Sequence, residues 1–225
     1  MGQVSVLEDM GFAEIGGALT AGQCADVTIA LDAIDGGSAD SRNLLDLACC
    51  QALAAALKAH PEVGPLLPPR ARAVQCTLFD KSADKNWFVA LHQDLSIPVR
   101  ERVPDPECRG WSEKEGVIYV QPPVAVLESL VAVRAHLVDC GPESGPLRVV
   151  PRSHRHGRLS ADAAKALRER HGEVECIALR GGATAMRPLL LHSSSKARTR
   201  SRRRVLHFLF GPPELACGLR WHNAV

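Results

Sequence analysis

The stretch LHQDLSIPV, residues 91–99, decides how the fold is interpreted, because it places His92 and Asp94 two positions apart. In an extended strand, residues two apart point to the same face of the sheet. These two side chains can therefore offer an imidazole nitrogen and a carboxylate oxygen to one metal ion. His192 lies a hundred residues later in RPLLLHSSS (187–195), after an apolar run, and can supply a third ligand. Two histidines and one carboxylate on one side of a metal suit non-haem Fe(II) oxygenases.

An arginine cluster follows the distal histidine, in RTRSRRRVLHFLF (198–210). A guanidinium fork there could bind a carboxylate of a co-substrate through two parallel hydrogen bonds. In an extended strand Arg203 and His207 share one face, whereas Arg202 and Arg204 share the other. The alternation alone leaves Arg203 and Arg204 both open for the role.

Four stretches resemble, in order, the phytanoyl-CoA dioxygenase family of Fe(II)- and 2-oxoglutarate-dependent oxygenases. They are DKSADKNWFVALHQD (80–94), DCGPESGPLRVVPRSHRHG (139–157), LLLHSSSKA (189–197) and RRVLHFLF (203–210). The first resembles the strand that carries the His-x-Asp pair, and the last two resemble the strands of the distal histidine and the co-substrate arginine. The resemblance spans roughly residues 74–212. The chain departs from the family between Ile97 and Leu130 and in its N-terminal third.

The resemblance implies a mainly β fold with flanking helices, the double-stranded β-helix, a jelly-roll or cupin-like barrel with the metal at its mouth. It implies that His92, Asp94 and His192 bind iron and form the catalytic centre. The family's offset from the distal histidine selects Arg203 for the far carboxylate of 2-oxoglutarate, and Ser194 resembles a small hydroxyl residue that can hydrogen-bond the same molecule. Related halogenases lack the acidic ligand, so Asp94 favours hydroxylation or another oxidation.

Other polar residues are candidates for the same pocket. Gln75 and Lys81 could bind 2-oxoglutarate or line the cavity, although Lys81 could equally face solvent. Arg134 interrupts the apolar strand LVAVRAHLVDC, where an unpaired charge is costly. It could bind 2-oxoglutarate or an anionic group of the substrate, and the alternative is an internal salt bridge. Trp87 and Trp111 are candidate pocket walls or core residues.

The chain length of 225 residues suits a single domain. We expect residues 1–70 to form a helical N-terminal support and residues 71–212 to form the β-helix core. Residues 99–116 are polar and contain proline, so we expect a loop that acts as a lid over the site.

Four local elements are predicted from caps and breakers. Residues 5–17 alternate loosely and suggest a first strand. Thr20 and Gln23 fit a capping box for a helix over 21–34. A second helix is predicted over 41–61, with Ser41 as its cap, and a third over 160–172, between Ser160 and Gly172.

Composition excludes several classes of protein. The net charge of +2 and pI of about 8.2 do not require a polyanionic partner, and the basic run 198–204 has few aromatic neighbours, so nucleic-acid binding is not expected. Eight cysteines without a CxxC motif suggest reduced thiols in a cytoplasmic protein. The N-terminus has neither a signal-peptide pattern nor a complete myristoylation motif, and no apolar run suggests a membrane span.

The sequence therefore predicts an Fe(II)- and 2-oxoglutarate-dependent dioxygenase that uses O2 and releases succinate and CO2. We expect it to hydroxylate a small polar metabolite, with one that carries a carboxylate favoured, while desaturation and cyclisation stay open. The competing hypothesis is a cupin-like protein that binds a metal or small molecule without catalysis. The sequence leaves the oligomeric state open.

Overall fold

Antiparallel strands dominate the computed structural model, which describes residues 2–34, 40–41, 43–82, 85–198 and 202–225. The described strands are β1 (Phe12–Ile15), β2 (Asp40–Ser41), β3 (Arg72–Lys81), β4 (Val89–His92), β5 (Ile97–Val99), β6 (Arg109–Lys114), β7 (Val117–Gln121), β8 (Val131–His136), β9 (Leu147–Val149), β10 (Val174–Cys176), β11 (Ala183–Met186), β12 (His192–Ser194) and β13 (Arg203–Gly211). The described helices are α1 (Gln3–Met10), α2 (Ala21–Ile34), α3 (Ala48–Ala59), α4 (Val124–Glu128) and α5 (Ala161–His171). The mainly β class with flanking helices is as predicted.

The strands form three sheets. A six-stranded sheet has the order β1-β11-β8-β13-β3-β2, and a four-stranded sheet has the order β10-β9-β12-β4. The third sheet contains β5, β7 and β6. Neighbours in the large sheet are far apart in sequence, so the barrel is closed by long-range pairing, as between β13 and β3.

Alternation along the large sheet separates an apolar outer face from a polar inner face. Val133 and Phe208 pack in one core cluster with Leu53 of α3 and Cys24 of α2. The residues next to them in sequence point the opposite way, because side chains alternate across a strand. Arg134 is one of these, and it lines an interior cavity instead. The helices therefore cover the outside of the sheet, and the inside is left for polar side chains.

Two predicted helices have the expected bounds and caps. The Thr20 Oγ1 accepts a hydrogen bond from the Gln23 amide at 3.2 Å, and the Gln23 Oε1 accepts one from the Thr20 amide at 2.8 Å. This reciprocal pair is a capping box at the start of α2. The Ser160 hydroxyl caps α5 by accepting from the Ala163 amide, and Gly172 ends that helix.

The prediction of a strand over residues 5–17 is wrong for its first half, which forms α1. Val4, Leu7 and Met10 recur every three residues, a helical spacing, and Gly11 ends the helix with a φ of 86°. The chain then enters β1, which pairs with β11.

The predicted helix over 41–61 begins later than expected. Ser41 does not cap it but pairs with Leu78 as part of β2. A short 3-10 turn, Leu44–Asp46, comes next, and α3 begins at Ala48. The tighter turn buries both Leu44 and Leu45, which are adjacent in sequence.

The prediction of a loop over 99–116 is wrong for residues 109–114, which form β6 and pair with β7. Glu115 and Gly116 join the two strands with φ values of 51° and 74°, the backbone of a two-residue hairpin turn. Among the residues predicted as a lid, Lys114 lines the cavity, whereas Trp111 packs against the apolar core and under Arg102. The lid function and the single-domain division stay predictions.

The eight cysteines are free thiols, and six of them are buried. Within the described part of the chain, none of the helices combines the length and apolar character that crossing a bilayer demands.

Candidate metal centre

Two histidines and one aspartate meet where the four-stranded sheet ends. His92 closes β4 and His192 opens β12, and the two residues are direct cross-strand partners with ring centroids 4.2 Å apart. Asp94 follows β4 rather than lying in it, and its amide donates to the Pro188 carbonyl oxygen at 2.9 Å. Its two carboxylate oxygens each lie 3.7 Å from one histidine Nε2. The ligand atoms of the three residues all lie within 4.8 Å of one another.

Both histidines have the tautomer that a metal ligand needs. The His92 Nδ1 lies 2.8 Å from the Ala90 carbonyl oxygen, and the His192 Nδ1 lies 2.9 Å from the Leu190 carbonyl oxygen. A carbonyl oxygen only accepts, so each Nδ1 carries the proton and each Nε2 lone pair faces the centre. Burial lowers the pKa of His192 to about 4, which keeps that ring neutral near pH 7. The donor set therefore fits a divalent metal with open positions on one side.

Asp94 stays ionised in this setting. Burial of the carboxyl opposes ionisation, but the protonated forms of His192, His207 and His92, together with the Arg134 guanidinium, hold its pKa below the usual range. An ionised carboxylate is the form that binds a metal.

Gln93, between the two ligands, fixes the strand end. Its side-chain amide donates to the carbonyl oxygens of Gly157 at 2.8 Å and Leu189 at 2.7 Å, and its Oε1 accepts from the Leu159 amide at 2.9 Å. All polar atoms of this buried side chain are thus engaged, so the turn that presents His92 and Asp94 is held rigidly.

A cavity of about 350 Å³ opens in front of the three ligands. Its other walls include polar, apolar and cationic residues, namely Gln75, Thr77, Phe79, Trp87, Lys114, Leu127, Leu130, Arg134, Leu147, Ser194, Arg203, His207 and Leu209. Most of the residues predicted for the site from the sequence therefore surround one space.

Arg203 lies inside the cavity and Arg204 outside it. The Arg203 guanidinium is buried and donates to the Gly145 carbonyl oxygen, and its Nε has no hydrogen-bond partner among the described residues. Arg204 points to the opposite face, where it pairs with Asp80 at 2.9 Å and Asp32 at 2.7 Å. Of the two arginines left open by the alternation, Arg203 is the one that can reach a ligand beside the metal.

Lys81 is fully buried, so its alternative role as a solvent-exposed residue is wrong. Its ammonium donates to the Ser194 hydroxyl at 2.8 Å and to the Ser195 carbonyl oxygen at 2.9 Å, and lies 5.2 Å from the Trp87 ring. Burial, together with the charges of Arg203 and Arg134, lowers the pKa of Lys81 to about 7. Lys81 thus orients the Ser194 hydroxyl that lines the cavity.

Arg134 also lines the cavity, and the internal salt bridge considered for it is not found. Among the described residues, no carboxylate oxygen lies within ion-pair distance of its guanidinium. Its Nη1 instead lies 3.1 Å from the His207 Nδ1, and its Cζ lies 5.2 Å from the centre of the Phe79 ring. Gln75 reaches the same cavity, where its amide donates to the Thr77 hydroxyl at 3.0 Å.

His207 was given no role from the sequence, yet it lies beside the ligands. Its Nε2 lies 3.8 Å from an Asp94 carboxylate oxygen. Its pKa is lowered to about 3 by burial and by Arg134, so the ring is neutral. Because Arg134 only donates, the His207 Nδ1 accepts and its Nε2 carries the proton toward Asp94. The sequence did contain a sign of this position, because His207 lies four residues after Arg203 in an extended strand and therefore on the same face.

His154 of the segment 139–157 and Arg202 of the basic run lie away from the centre. The His154 Nε2 lies 3.2 Å from the Glu8 carbonyl oxygen of α1, so this histidine anchors a helix. Arg202 pairs with Asp80 at 2.7 Å on the outer face. Residues 199–201 of the basic run lie outside the described residues.

Comparison with known proteins identifies a family. The family model described as phytanoyl-CoA dioxygenase (PhyH) matches residues 7–205. No curated protein matches the chain.

Solved structures resemble the whole molecule. EctD from S. alaskensis, crystallised with 2-oxoglutarate and 5-hydroxyectoine, is 17% identical over 93% of this chain and 74% of its own, with a TM-score of 0.69. HygX from Streptomyces hygroscopicus, with nickel and 2-oxoglutarate, is 18% identical over 93% and 86%, with a TM-score of 0.62. SnoN, a non-haem epimerase from nogalamycin biosynthesis, is 18% identical over 92% and 80%, with a TM-score of 0.65. The chain therefore has the double-stranded β-helix fold, as predicted.

Proposed function

The chain belongs to the phytanoyl-CoA dioxygenase (PhyH) family, and from this premise we propose that it is an Fe(II)- and 2-oxoglutarate-dependent dioxygenase that hydroxylates a small polar molecule. One observation carries the proposal. Two histidines, each with its Nε2 facing the centre, and an ionised aspartate converge with open space in front of them, and a buried arginine with an unused donor lies in the same cavity. A non-haem iron site with a carboxylate-bearing co-substrate needs this combination.

Some residues of the cavity would hold the metal, and others would hold the co-substrate. His92, Asp94 and His192 would hold the iron, and the Arg203 fork would bind the far carboxylate of 2-oxoglutarate. The Ser194 hydroxyl, held by Lys81, would share that carboxylate. The nickel and 2-oxoglutarate bound to HygX and the 2-oxoglutarate bound to EctD support this choice of ligands.

When bound, iron and 2-oxoglutarate supply oxidation by O2, in which the co-substrate is converted to succinate and CO2. The protein's own part is to position and to exclude water. Leu127, Leu130 and Leu209 form an apolar wall of the cavity, and a dry wall strengthens the electrostatic contacts made inside. His192 is buried whereas His92 is partly exposed, so the substrate would approach from the His92 side.

The test is anaerobic binding followed by turnover. The parent should bind one Fe(II) per chain, bind 2-oxoglutarate only in the presence of metal, and form succinate when O2 is admitted. His92→Ala, Asp94→Ala and His192→Ala should each lose metal and succinate formation together. His154→Ala, a histidine variant outside the cavity, is the matched control and should keep both.

Two outcomes would contradict the proposal in different ways. If the three ligand variants bind Fe(II) like the parent, the metal assignment is wrong. If the parent binds Fe(II) and 2-oxoglutarate but forms no succinate with or without a metabolite panel, the chain is a non-catalytic binding protein, which is the competing hypothesis. The product isolated after turnover of an active metabolite distinguishes hydroxylation from desaturation or from an epimerisation such as that of SnoN.

A further inference from the structure

Arg134 is a buried cation that makes no ion pair with a carboxylate of the described residues, and Asp94 attracts it only from a longer distance. The side chain is 6% exposed, and its Nε has no hydrogen-bond partner among the described residues. Its Nη1 donates to a neutral ring, the His207 Nδ1, at 3.1 Å. A neutral acceptor and an aromatic face offset only part of the cost of removing a guanidinium from water. An anion that arrives with a ligand would offset more of it.

The charges around the cavity show the same imbalance. Of its described lining residues, Lys114, Arg134 and Arg203 are cationic, and Asp94 alone is anionic. Iron with two positive charges and 2-oxoglutarate with two negative charges cancel each other. Loading the site therefore leaves the excess of positive charge in place.

The position of Arg134 separates it from the co-substrate arginine. Arg134 is the cross-strand partner of His207 on β13, whereas Arg203 pairs with Lys81 at the start of the same strand. Four residues of extended strand separate the two positions along β13, about 13 Å of backbone. The two guanidinium groups are nevertheless near enough to repel each other, and two neighbouring cations can take two carboxylates. Arg134 is the one that lies beside the metal ligands through His207.

We propose that Arg134 binds a carboxylate of the primary substrate and so selects small anionic molecules. This inference rests on the proposed function. It also fits the lining of the site, because the polar side chains of Gln75, Thr77 and Ser194 lie in the same cavity and suit a small polar molecule. The other carboxylate that Arg134 can bind is the near carboxylate of 2-oxoglutarate, and the experiment distinguishes this from a carboxylate of the substrate.

The experiment uses the full chain loaded with Ni(II), which blocks turnover, and saturated with 2-oxoglutarate. The probes are the common free amino acids and short aliphatic carboxylates, each paired with its primary amide, and affinity is measured by calorimetry. We expect at least one acid to bind the parent about tenfold or more tightly than its amide, the effect of one desolvated charge pair. Arg134→Gln should abolish that preference and change 2-oxoglutarate affinity by less than about threefold.

Arg204→Gln is the matched control, because it removes an equally buried arginine from the outer face. It should lower thermal stability and keep the preference for acids. If Arg134→Gln does not fold, Arg134→Lys replaces it, since lysine keeps the charge but loses the planar fork. That variant should weaken acid binding and leave amide binding unchanged.

Three results would overturn the inference. The parent could show no preference for any acid over its amide, or the preference could persist in the Arg134 variant. Alternatively, Arg134→Gln could lose 2-oxoglutarate to the extent that Arg203→Gln does, which would assign Arg134 to the co-substrate. In all three cases Ni(II) and 2-oxoglutarate still bind the parent, so the proposed function stands; failure of those two to bind would instead remove the proposed function itself.

Discussion

Arg203 and Arg204 are chemically identical neighbours with opposite surroundings, because successive side chains in a strand face opposite sides. Arg203 contacts the Gly145 carbonyl oxygen inside the barrel, whereas Arg204 pairs with two aspartates outside it. A contrast between the two positions therefore isolates the role of the fork in the cavity.

We predict that Arg203→Lys weakens 2-oxoglutarate binding by about tenfold or more while Fe(II) occupancy stays near that of the parent. A lysine keeps the charge but cannot make two parallel hydrogen bonds to one carboxylate. Anaerobic titration of the metal-loaded protein measures both quantities. Arg204→Lys should match the parent in both; a loss of 2-oxoglutarate affinity there, with none in Arg203→Lys, would move the role by one residue.

At the level of single residues the sequence was informative where a side chain's role depends on local spacing. His92 and Asp94 are two positions apart. Strand alternation placed Arg203 and Arg204 on opposite faces, and the offset of the resembling family then selected Arg203. Alternation also gave the face of His207, but it did not give the partners of His207 or of Lys81. Lys81 contacts Ser194 of β12, and His207 contacts Arg134 of β8. These strands are far away in the sequence, so a local sequence pattern cannot predict the burial of Lys81 and His207 or their partners.

Between secondary-structure elements, a cluster of ion pairs connects α2 with the large sheet. Asp80 of β3 receives Arg202 at 2.7 Å and Arg204 at 2.9 Å, and Asp32 of α2 joins the same group. Burial opposes ionisation of Asp80, but the two arginines more than compensate and hold its pKa below the ordinary value of 3.8. The cluster thus fastens a helix to the outer face of the large sheet.

We predict that Asp80→Asn lowers the free energy of unfolding by about 3 kcal/mol, because the buried Arg204 loses its buried carboxylate partner and keeps only the exposed Asp32. Urea denaturation measures this, and metal binding by the folded variant should be unchanged. The Asp80 carboxylate stabilises the fold above its unfolded pKa, and this contribution is lost as the pH falls through its lower folded pKa. The difference between parent and variant should therefore shrink in acid. Asp26→Asn, on an exposed site of α2, is the control, and an equal loss there would refute the role of the cluster.

Elements with strong end signals were predictable, and those shaped by tertiary pairing were not. The capping box at Thr20 and the cap at Ser160 fixed α2 and α5 from local chemistry. Ser41 is also a residue type that caps helices, but its backbone pairs with Leu78 of β3, and a 3-10 turn that buries Leu44 and Leu45 lies between it and α3. Residues 109–114 are mostly polar and so were not recognised as a strand. They form one because they pair with β7.

In the whole molecule, the side chain of Lys81 joins two of the sheets. Lys81 of the six-stranded sheet donates to Ser194 of the four-stranded sheet and to the carbonyl oxygen of Ser195, which follows it, so one ammonium joins the two sheets. Burial and two nearby guanidinium groups lower its pKa from 10.5 to about 7. Between these two values the unfolded chain binds a proton at Lys81 that the folded chain does not.

We therefore predict that the stability of the parent rises relative to Lys81→Met as the pH is raised from about 7 toward 10. The sign follows because stability increases with pH wherever the unfolded state binds more protons. Chemical denaturation of both proteins at several pH values measures the difference. Parallel pH profiles of the parent and Lys81→Met would show that the ammonium is charged to the same extent in both states. Lys165→Met, on an exposed position of α5, is the control for removal of a surface lysine.

The pairing of His92 with His192 joins two strand ends that are a hundred residues apart in the chain. An ion held there would act as a reversible cross-link that closes a long loop, and closing a long loop removes much of the freedom of the unfolded chain. Folding and metal capture are then thermodynamically coupled, so each tenfold excess of ion over its dissociation constant adds about 1.4 kcal/mol to the native state. Iron supply would set how long each copy of the protein survives in the cell, as well as whether that copy can act.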